Sequence, residues 1–423
     1  MIDIKLFREN PNFFRDAARA KNVEIDVERI FELDRRVRTL KAETEGIAAQ
    51  KNEASKRIAK AGADERKVMI EDMRMIDRKA ETLNAELSPL DAELEDLLYR
   101  IPNPSLADVK IGKSEEENEV VKEVGEKTVF TFEPKDHLEL GESLGIIDVE
   151  RAAKAAGSRF NYYVGDGAML AFALIHHAMN TAMKHGFTPM LVPMLVSAKV
   201  MRAMGYLEHG GHDEIYYLPK DNLYLVGTAE QPLGAFHMDE MLSEKELPLR
   251  YVGYSSCFRR EAGSYGKDTK GLIRMHQFEK IEMFSWTTPE NSDAEHEKLL
   301  AIEEELVHSL GIPYRVIKQC TGDLGLPAAR KYDIESWLPT QETYRETHST
   351  STCTDFQSRR LNTRYKNGEG ETRLVHTLNG TAFAVGRMTA VILENYQNED
   401  GSVTIPEVLR PYMGGKEKLT PKK

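Results

Sequence analysis

Two long runs of heptad-spaced apolar residues constrain the fold of this chain more than any other feature. The first run begins near Val27, and the second follows a break at Ala61-Gly62-Ala63-Asp64 and ends before Pro102. Two helices joined by so short a turn must run antiparallel, so we predict a two-helix coiled-coil arm over about residues 27–100. The first seam comprises Ile30, Leu33, Val37, Leu40, Thr44, Ile47, Lys51, Ala54 and Ile58, and the second comprises Met73, Ile76, Ala80, Leu83, Leu87, Leu90, Leu94 and Leu97.

The predicted arm has too little interior to be a domain core. Each helix of roughly 35 residues would be about 50 Å long, so the arm projects. One interpretation is a dimerisation or spacer coiled coil. The other is a phosphate-binding surface, because the basic residues near the tip outnumber the acidic ones. The basic residues are Lys51, Lys56, Arg57, Lys60, Arg66 and Lys67, and the acidic ones are Glu53, Asp64 and Glu65.

One irregularity in the second helix predicts a kink or a restart. Ser88-Pro89-Leu90-Asp91 has the order of a helix N-cap, a proline at the first helical position and an acid in the first turn.

Length and charge limit the possible classes of protein. The chain has 423 residues, which predicts two or three domains. Its net charge of −12 argues against a general nucleic-acid coat protein but leaves RNA binding through one local surface open. Neither a secretory signal nor a membrane-spanning stretch is visible, and the three cysteines form no pairing framework. We therefore predict a cytoplasmic protein.

The pattern changes after the arm. We predict an α+β protein with an N-terminal domain at 1–103, a polar connector at 104–125 and a catalytic domain at 126–423. In the last of these, strand-like runs alternate with helices without regular βαβ spacing, which favours an antiparallel sheet with flanking helices. The predicted strands are Tyr224–Val226, Leu249–Tyr254, Ile281–Trp286 and Tyr314–Ile317, and the predicted helices are Met169–Lys184, Ser292–Leu310 and Ala384–Asn395.

Common nucleotide and zinc motifs are absent from the sequence. There is no G-x-x-x-x-G-K-[ST] loop, no G-x-G-x-x-G that opens a helix after a strand, and no second histidine at zinc-protease spacing after His296-Glu297. If the protein uses ATP, it does so without the common P-loop.

The densest group of charged and glycine residues lies between Cys257 and Glu282 and predicts a hairpin of two strands with a long polar loop. Alternation along the first strand would put Arg259 and Glu261 on one face. An arginine there can grip a phosphate with two hydrogen bonds, and a neighbouring carboxylate can orient an amine. The alternative is a solvent-exposed hairpin with cross-strand ion pairs.

The hairpin resembles motif 2 of class II aminoacyl-tRNA synthetases, and specifically that of seryl-tRNA synthetases of the bacterial type. Similar segments extend over nearly the whole chain. They are the N-terminal Asp3-Ile4-Lys5-Leu6 and Arg8-Glu9-Asn10-Pro11, Ile101-Pro102-Asn103, the motif 1-like residues 186–193, Thr228-Ala229-Glu230, Glu346-Thr347-His348-Ser349, residues 354–360, the motif 3-like residues 376–381 and 384–387, and the C-terminal residues 406–413.

The resemblance implies a two-step reaction. Serine would attack ATP to give seryl-adenylate and pyrophosphate, and the seryl group would then pass to the 3′ end of tRNA(Ser), with tRNA(Sec) as a further candidate. ATP would be a substrate and Mg²⁺ a cofactor. The resemblance also implies that the chain works as a homodimer, that motif 1 builds the dimer interface, and that the arm binds tRNA.

The resemblance also implies roles for individual residues. Arg259 and Arg387 would be catalytic, and Glu346 and Ser349 would bind magnesium. Serine would be bound by Thr228, Ala229, Glu230, Glu282 and Thr381. ATP would be bound by Arg259, Arg260, Glu261, Met275, Phe278, Glu346, Thr347, His348, Ser349 and Arg387.

Two positions depart from the family pattern. Thr381 stands where serine is frequent, which keeps the hydroxyl and adds a methyl group. His348 stands where many relatives have serine, which puts the use of that side chain in doubt.

Three other functions remain as alternatives: an amino-acid-activating ligase that loads a carrier protein, a synthetase-like scaffold without catalysis, and a purely structural coiled coil. Ligases that load a carrier protein lack a long arm, which this chain has. A scaffold without catalysis would lose an arginine of motif 2 or motif 3, and a purely structural coiled coil would leave the hairpin unexplained.

Overall fold

The computed structural model describes residues 2–60, 62–209, 211–262 and 271–421. The chain forms two compact units. The arm unit contains the residues up to Arg19 together with Val23–Pro102, and the catalytic unit contains Ala20–Asn22 and the residues from Asn103 onwards. In the described residues, no helix is long and apolar enough to cross a membrane.

The arm unit is helical. Its helices are α1 Ile4–Glu9, α2 Pro11–Ala20, α3 Val27–Ile58 and α4 Ala63–Arg100. Helix α3 begins at Val27 because the side chain of Asp26 accepts a hydrogen bond from the amide of Arg29 and caps the first turn.

Ion pairs between α3 and α4 demonstrate the predicted antiparallel arrangement. Arg29 pairs with Glu93 at 2.8 Å near one end, and Lys51 pairs with Asp77 at 2.5 Å farther along. The seam residues Leu40, Ile47 and Leu83 are buried between the two helices. The prediction of a two-helix coiled coil is therefore confirmed, and the polar seam residue Lys51 is accommodated by a carboxylate on the opposite helix.

The predicted helix restart at Ser88-Pro89 is wrong, because α4 runs through Pro89 without interruption. A proline inside a helix removes one backbone hydrogen bond, but Leu87 and Leu90 on either side pack into the arm seam. Packing of the apolar face therefore outweighs the local signal.

The helices of the catalytic unit are short except for three. They are α5 His137–Ser143, α6 Val149–Ala156, α7 Asp166–Lys184, α8 Ala198–Met204, α9 Gly211–Glu214, α10 Glu230–Gly234, α11 Ser292–Ser309, α12 Phe356–Leu361 and α13 Val385–Asn395. The strands are β1 Glu119–Val124, β2 Ile147–Asp148, β3 Tyr162–Tyr163, β4 Thr188–Leu191, β5 Leu195–Ser197, β6 Tyr217–Leu218, β7 Leu223–Leu225, β8 Met241–Ser243, β9 Leu249–Phe258, β10 Gln277–Thr287, β11 Tyr314–Lys318, β12 Arg330–Leu338, β13 Thr343–Thr352, β14 Arg364–Lys366, β15 Thr372–Leu374, β16 His376–Ala384, β17 Val403–Thr404 and β18 Lys418–Leu419.

A large sheet organises the catalytic unit. In the part of the chain that the structure describes, its strand order is β1-β11-β12-β13-β16-β10-β9-β4. All neighbours are antiparallel except β4 and β9, which are parallel. The predicted antiparallel sheet and its helices are confirmed. The stretch predicted as a connector contributes the edge strand β1, which pairs with β11.

The two faces of the large sheet have different surroundings. Ile281 and Met283 of β10 lie in a hydrophobic core that includes residues of the long helices α7, α11 and α13. The alternating residues Lys280 and Glu282 line a cavity on the other face. Farther along that face, Phe284 and Trp286 belong to a second core with α8. One strand thus contributes to both cores and to the cavity.

We predict that Leu83→Ala destabilises the arm locally. Truncating a buried leucine costs about 2–5 kcal/mol, and Leu83 packs with Leu40 and Ile47. Hydrogen exchange should become faster in residues 40–47 and 80–87 and stay unchanged in β10 and β16. Val68→Ala, at an exposed position on the same helix, is the control. Unchanged exchange in the arm of the Leu83 variant would contradict the seam assignment.

Candidate active site

A cavity of about 420 Å³ collects most of the residues singled out by the sequence. It lies over β10, β12, β13 and β16 of the large sheet and reaches the first turn of α13. Of the predicted residues, its lining includes Thr228, Glu230, Arg259, Glu261, Met275, Phe278, Glu282, Glu346, Thr347, Ser349, Thr381 and Arg387.

The period of strand β10 places three side chains on the cavity face. Phe278, Lys280 and Glu282 alternate along the strand and all line the cavity. The pairing of β10 with β16 sets Glu282 directly opposite Thr381, after a register shift at Ile281. Two residues that are 99 positions apart in sequence therefore become neighbours at one point of the sheet.

A β-bulge explains how Glu346 and Ser349 both reach the cavity. Residues three apart on a regular strand face opposite sides of a sheet. The pairing of β12 with β13 shifts between Ile334–His348 and Glu335–Glu346, so that Thr347 is the extra residue. Because of this extra residue, the side chains of Glu346 and Ser349 lie on the same face of the sheet, and both line the cavity.

Arg259 and Glu261 also line the cavity, but alternation on a strand does not place them there. Strand β9 ends at Phe258, before both residues, and Glu261 has a positive φ of 52°. We predicted that alternation along a strand would put Arg259 and Glu261 on one face. That reason is wrong, because the chain leaves the sheet before it reaches either residue. Instead, Arg259 donates from Nε to the carbonyl of Gly227 at 3.1 Å, and Glu261 accepts from Arg274 at 2.9 Å.

Phe278 and the two arginines form the cationic and aromatic end of the cavity. The guanidinium carbon of Arg259 lies 5.3 Å from the centre of the Phe278 ring. Arg387, on the first turn of α13, donates from Nη1 to the carbonyl of Glu346 at 2.9 Å and lies 3.4 Å from that residue's carboxylate. Lys331 of β12 lines the same cavity.

Charge strongly affects the pKa of Glu346. Burial raises this pKa, but the positive charges of Arg387 and Lys331 outweigh burial and bring it to about 2. Glu346 is therefore a carboxylate at neutral pH, with 44% of its side chain accessible to solvent. A stable anion with a nearby hydroxyl is an oxygen donor set of the kind that hard cations prefer.

The acidic end of the cavity is formed by Glu230 and Glu282. Glu230 is buried and accepts hydrogen bonds from Tyr206 at 2.6 Å, Gln357 at 2.8 Å and Asn379 at 3.1 Å. These neutral donors hold the carboxylate in one orientation.

Glu282 is 1% exposed and pairs with Lys280 at 2.7 Å. Burial raises its pKa, Lys280 lowers it, and the charge of Glu230 raises it further. Because the two carboxylates repel each other, a ligand cation that contacts both would be stabilised at this end.

Three predicted residues lie outside the cavity lining. Arg260 is exposed, donates to the carbonyl of Ile215 at 3.1 Å and lies over the ring of Tyr216. Ala229 is fully buried. His348 is buried, pairs opposite Ile334 and packs edge-on against Phe383. Alternation along β13 thus turns His348 away from the face that Ser349 occupies.

The comparisons with known proteins agree with this geometry. A family model of the seryl-tRNA synthetase N-terminal domain matches residues 1–105, and a model of the tRNA synthetase class II core domain (G, H, P, S and T) matches residues 216–396. The chain is 48% identical over 416 residues to the serine–tRNA ligase of Thermobifida fusca (strain YX), and 98% of each chain is covered. The chain belongs to the seryl-tRNA synthetase family.

A second relative and two solved structures support the same assignment. The serine–tRNA ligase of Streptomyces coelicolor is 48% identical over 425 residues, which cover 100% of this chain and 99% of the relative. The Pyrococcus horikoshii seryl-tRNA synthetase complexed with ATP has a TM-score of 0.88 and 39% identity, with all of both chains covered. The cytoplasmic serine–tRNA ligase of Naegleria fowleri in complex with AMP has a TM-score of 0.84 and 33% identity, covering 100% of this chain and 99% of that one. The predicted fold class is confirmed.

Several residues that line the cavity were not predicted from the sequence. Lys280 could have been predicted, because it lies between Phe278 and Glu282 in strict alternation along β10. Asn379 has the same kind of signal, because it lies two residues before Thr381 on β16. Tyr206 and Lys331 come from distant segments, and the tertiary structure brings them to the cavity.

A buried histidine holds the segment that leads into strand β10. His137 lies 2.7 Å through Nδ1 from Glu394, and its Nε2 accepts from the amide of Leu272 at 3.1 Å. Since a backbone amide can only donate, Nε2 is unprotonated and Nδ1 carries the hydrogen. Leu272 and Ile273 line the cavity, so this contact positions part of its wall.

We predict that His137→Phe loosens the wall at Leu272. The phenyl ring fills a similar space but offers no acceptor to the Leu272 amide. Hydrogen exchange of a peptide that contains Leu272 should become about tenfold faster. His185→Phe, which removes a half-buried histidine paired with Glu305, is the control. Equal exchange in wild type and His137→Phe would refute the anchoring role.

Proposed function

We propose a role for each cavity residue in the reaction of this family, the ATP-dependent joining of serine to tRNA(Ser). The observation that carries the proposal is the separation of charge in one cavity. Arg259, Arg387 and Phe278 lie at one end, and Glu230 and Glu282 lie at the other. Such a cavity suits a ligand with a phosphorylated aromatic base on one side and an amine on the other.

In the first step, a carboxylate oxygen of serine attacks the α-phosphorus of ATP. The bond from that phosphorus to the bridging oxygen breaks, and pyrophosphate leaves with the electron pair. This step needs no protein nucleophile, but it needs fixed positive charge where the phosphoryl oxygens become more negative. Arg259 would hold the α-phosphate and the serine carboxylate, and Arg387 would lie over the outer phosphates.

The adenine base would lie against Phe278. Glu261 would accept from the adenine amine, and Met275 and Thr347 would contribute to the nucleotide wall. Arg260 and His348, which lie outside the cavity lining, would act through the backbone or through neighbouring residues.

Magnesium fits the oxygen donors of Glu346 and Ser349. Mg²⁺ is commonly held by one or two protein oxygens together with substrate phosphates, and Glu346 is ionised at neutral pH. An ion bound there would neutralise part of the negative charge on the phosphate oxygens.

Serine would be selected at the acidic end of the cavity. Its ammonium group would contact the carboxylates of Glu230 and Glu282, and its hydroxyl would lie near Thr381 and Thr228. A site that hydrogen-bonds the hydroxyl leaves buried polar groups unpaired when alanine binds, which gives strong rejection. The methyl group of Thr381 narrows the space and disfavours threonine.

In the second step, the terminal ribose hydroxyl of tRNA attacks the seryl carbonyl, and AMP leaves. The arm would bind the body of tRNA(Ser), and tRNA(Sec) is a further candidate substrate. We also propose a cytoplasmic homodimer in which the arm of one subunit guides tRNA to the partner's site. The motif 1-like strand β4 is an edge strand of the large sheet, and its Leu191 is 85% exposed, which suits a covered interface.

We predict that Glu282→Ala loses most serine-dependent ATP–pyrophosphate exchange while the protein remains folded. Removing a buried carboxylate that binds the ammonium or the hydroxyl should lower kcat/KM for serine roughly 100-fold. Glu297→Ala, an exposed position on α11, is the matched control. Wild-type-like exchange in the Glu282 variant would refute its assignment.

We predict that deletion of residues 30–98 separates the two steps. Serine-dependent ATP–pyrophosphate exchange should remain, because the cavity lies within the catalytic unit. Aminoacylation of tRNA(Ser) should be lost, because the deletion removes the proposed tRNA-binding arm. Persistent charging would show that the arm is not an RNA-binding element.

A further inference from the structure

Two residues, Lys21 and Asn103, bind four consecutive backbone carbonyls in the wall of the cavity. Lys21 donates from Nζ to the carbonyls of Gly325 at 3.1 Å and Ala328 at 2.6 Å. The backbone amide of Asn103 donates to Leu326 at 2.9 Å, and its side-chain Nδ2 donates to Pro327 at 2.8 Å. The segment Gly325–Ala328, here called the wall segment, thus has every carbonyl engaged.

Lys21 is an unusual residue for this purpose. Lysine is almost never buried without a charged partner, yet Lys21 is only 6% exposed. Burial lowers the pKa of its amine to about 7. The amine has at least two hydrogens in either protonation state, enough for the two carbonyls that Lys21 contacts.

The wall segment lies at the acidic end of the cavity. All four of its residues line the cavity together with Gly205 and Tyr206. Pro327 faces Gly205, since a Cβ on that glycine would lie 3.6 Å from the Cβ of Pro327. The next residue, Tyr206, donates to Glu230 at 2.6 Å.

Asn103 connects the wall segment to a second part of the cavity. Its Nδ2 also donates to the carbonyl of Cys353 at 2.8 Å, and Cys353 lines the cavity. The sulfur of Cys353 lies 3.8 Å from Nδ2 of Asn379, which itself donates to Glu230. Two separate paths therefore lead from Lys21 and Asn103 to the surroundings of one carboxylate.

We propose that Lys21 and Asn103 are positioning residues that set the width of the serine pocket by holding the wall segment against the Glu230 side of the cavity. Neither residue contacts the cavity itself, and both lie outside the motifs of the class II core. In sequence they flank the arm, one before α3 and the other after α4. The inference rests on the proposed placement of serine at Glu230 and Glu282.

A purely structural role would have a different signature. If the two residues only stabilised the fold, their loss would lower thermal stability and the amount of active enzyme, and the affinities for serine and ATP would stay the same. A positioning role changes the serine pocket and leaves the nucleotide end intact. The KM for serine, the KM for ATP and the discrimination between serine and threonine separate the two roles.

The test uses the full-length enzyme with Lys21→Met, Asn103→Ala and the control Lys5→Met, which changes an exposed lysine on α1. ATP–pyrophosphate exchange is measured against serine, threonine and ATP. Loss of hydrogen bonds to buried carbonyls should raise the KM for serine about tenfold in each test variant. The KM for ATP should stay within about twofold, and the preference for serine over threonine should fall.

Two results would overturn the proposal. One is an unchanged KM for serine in a folded variant, and the other is an equal rise of the KM values for serine and ATP. If Lys21→Met does not fold, Asn103→Ala decides the question, because it keeps Lys21 and removes the side-chain bonds to Pro327 and Cys353. If the serine site were misplaced, Glu282→Ala would leave serine activation intact, whatever the result for Lys21.

Discussion

The register of strand β10 between β9 and β16 is the constraint on which the site depends. Because side chains alternate along a strand, this register places Phe278, Lys280 and Glu282 in one row and sets Glu282 opposite Thr381. A slip by one residue would put Ile281 and Met283 into the cavity and three polar or aromatic groups into the core. The hydrophobic core on the other face therefore enforces the register that the chemistry needs.

The second determinant is the distribution of charge along the cavity. Arg387 and Lys331 keep Glu346 ionised, whereas Glu282 lies deeper, close to Glu230 and paired with Lys280. One end of the cavity therefore suits phosphates with a hard cation, and the other suits an ammonium group. The same sheet supplies both environments, because its strands contribute residues of different charge at different depths.

The sequence predicted the large features because they depend on local patterns. The heptad seams gave the arm and its antiparallel direction, and strand-like runs such as Leu249–Tyr254 gave parts of the sheet. The resemblance to a family supplied the candidate site residues, most of which line one cavity.

Three features needed the structure. The bulge at Thr347 decides that Glu346 and Ser349 share a face, yet nothing in the local sequence marks it. The chain leaves the sheet before Arg259, so Arg259 and Glu261 both line the cavity for a reason other than alternation along a strand. Tyr206, Asn379 and the Lys21 contacts join segments far apart in sequence, and such pairings depend on tertiary packing.

The most direct test of the account is a crystal structure of this protein with a non-hydrolysable seryl-adenylate analogue. The adenine ring should lie against Phe278, the phosphate-mimicking group on the guanidinium of Arg259, and the serine ammonium within hydrogen-bonding distance of Glu230 or Glu282. The seryl hydroxyl should lie beside Thr381. An analogue bound with its seryl group at the Arg387 end, or outside this cavity, would contradict the account.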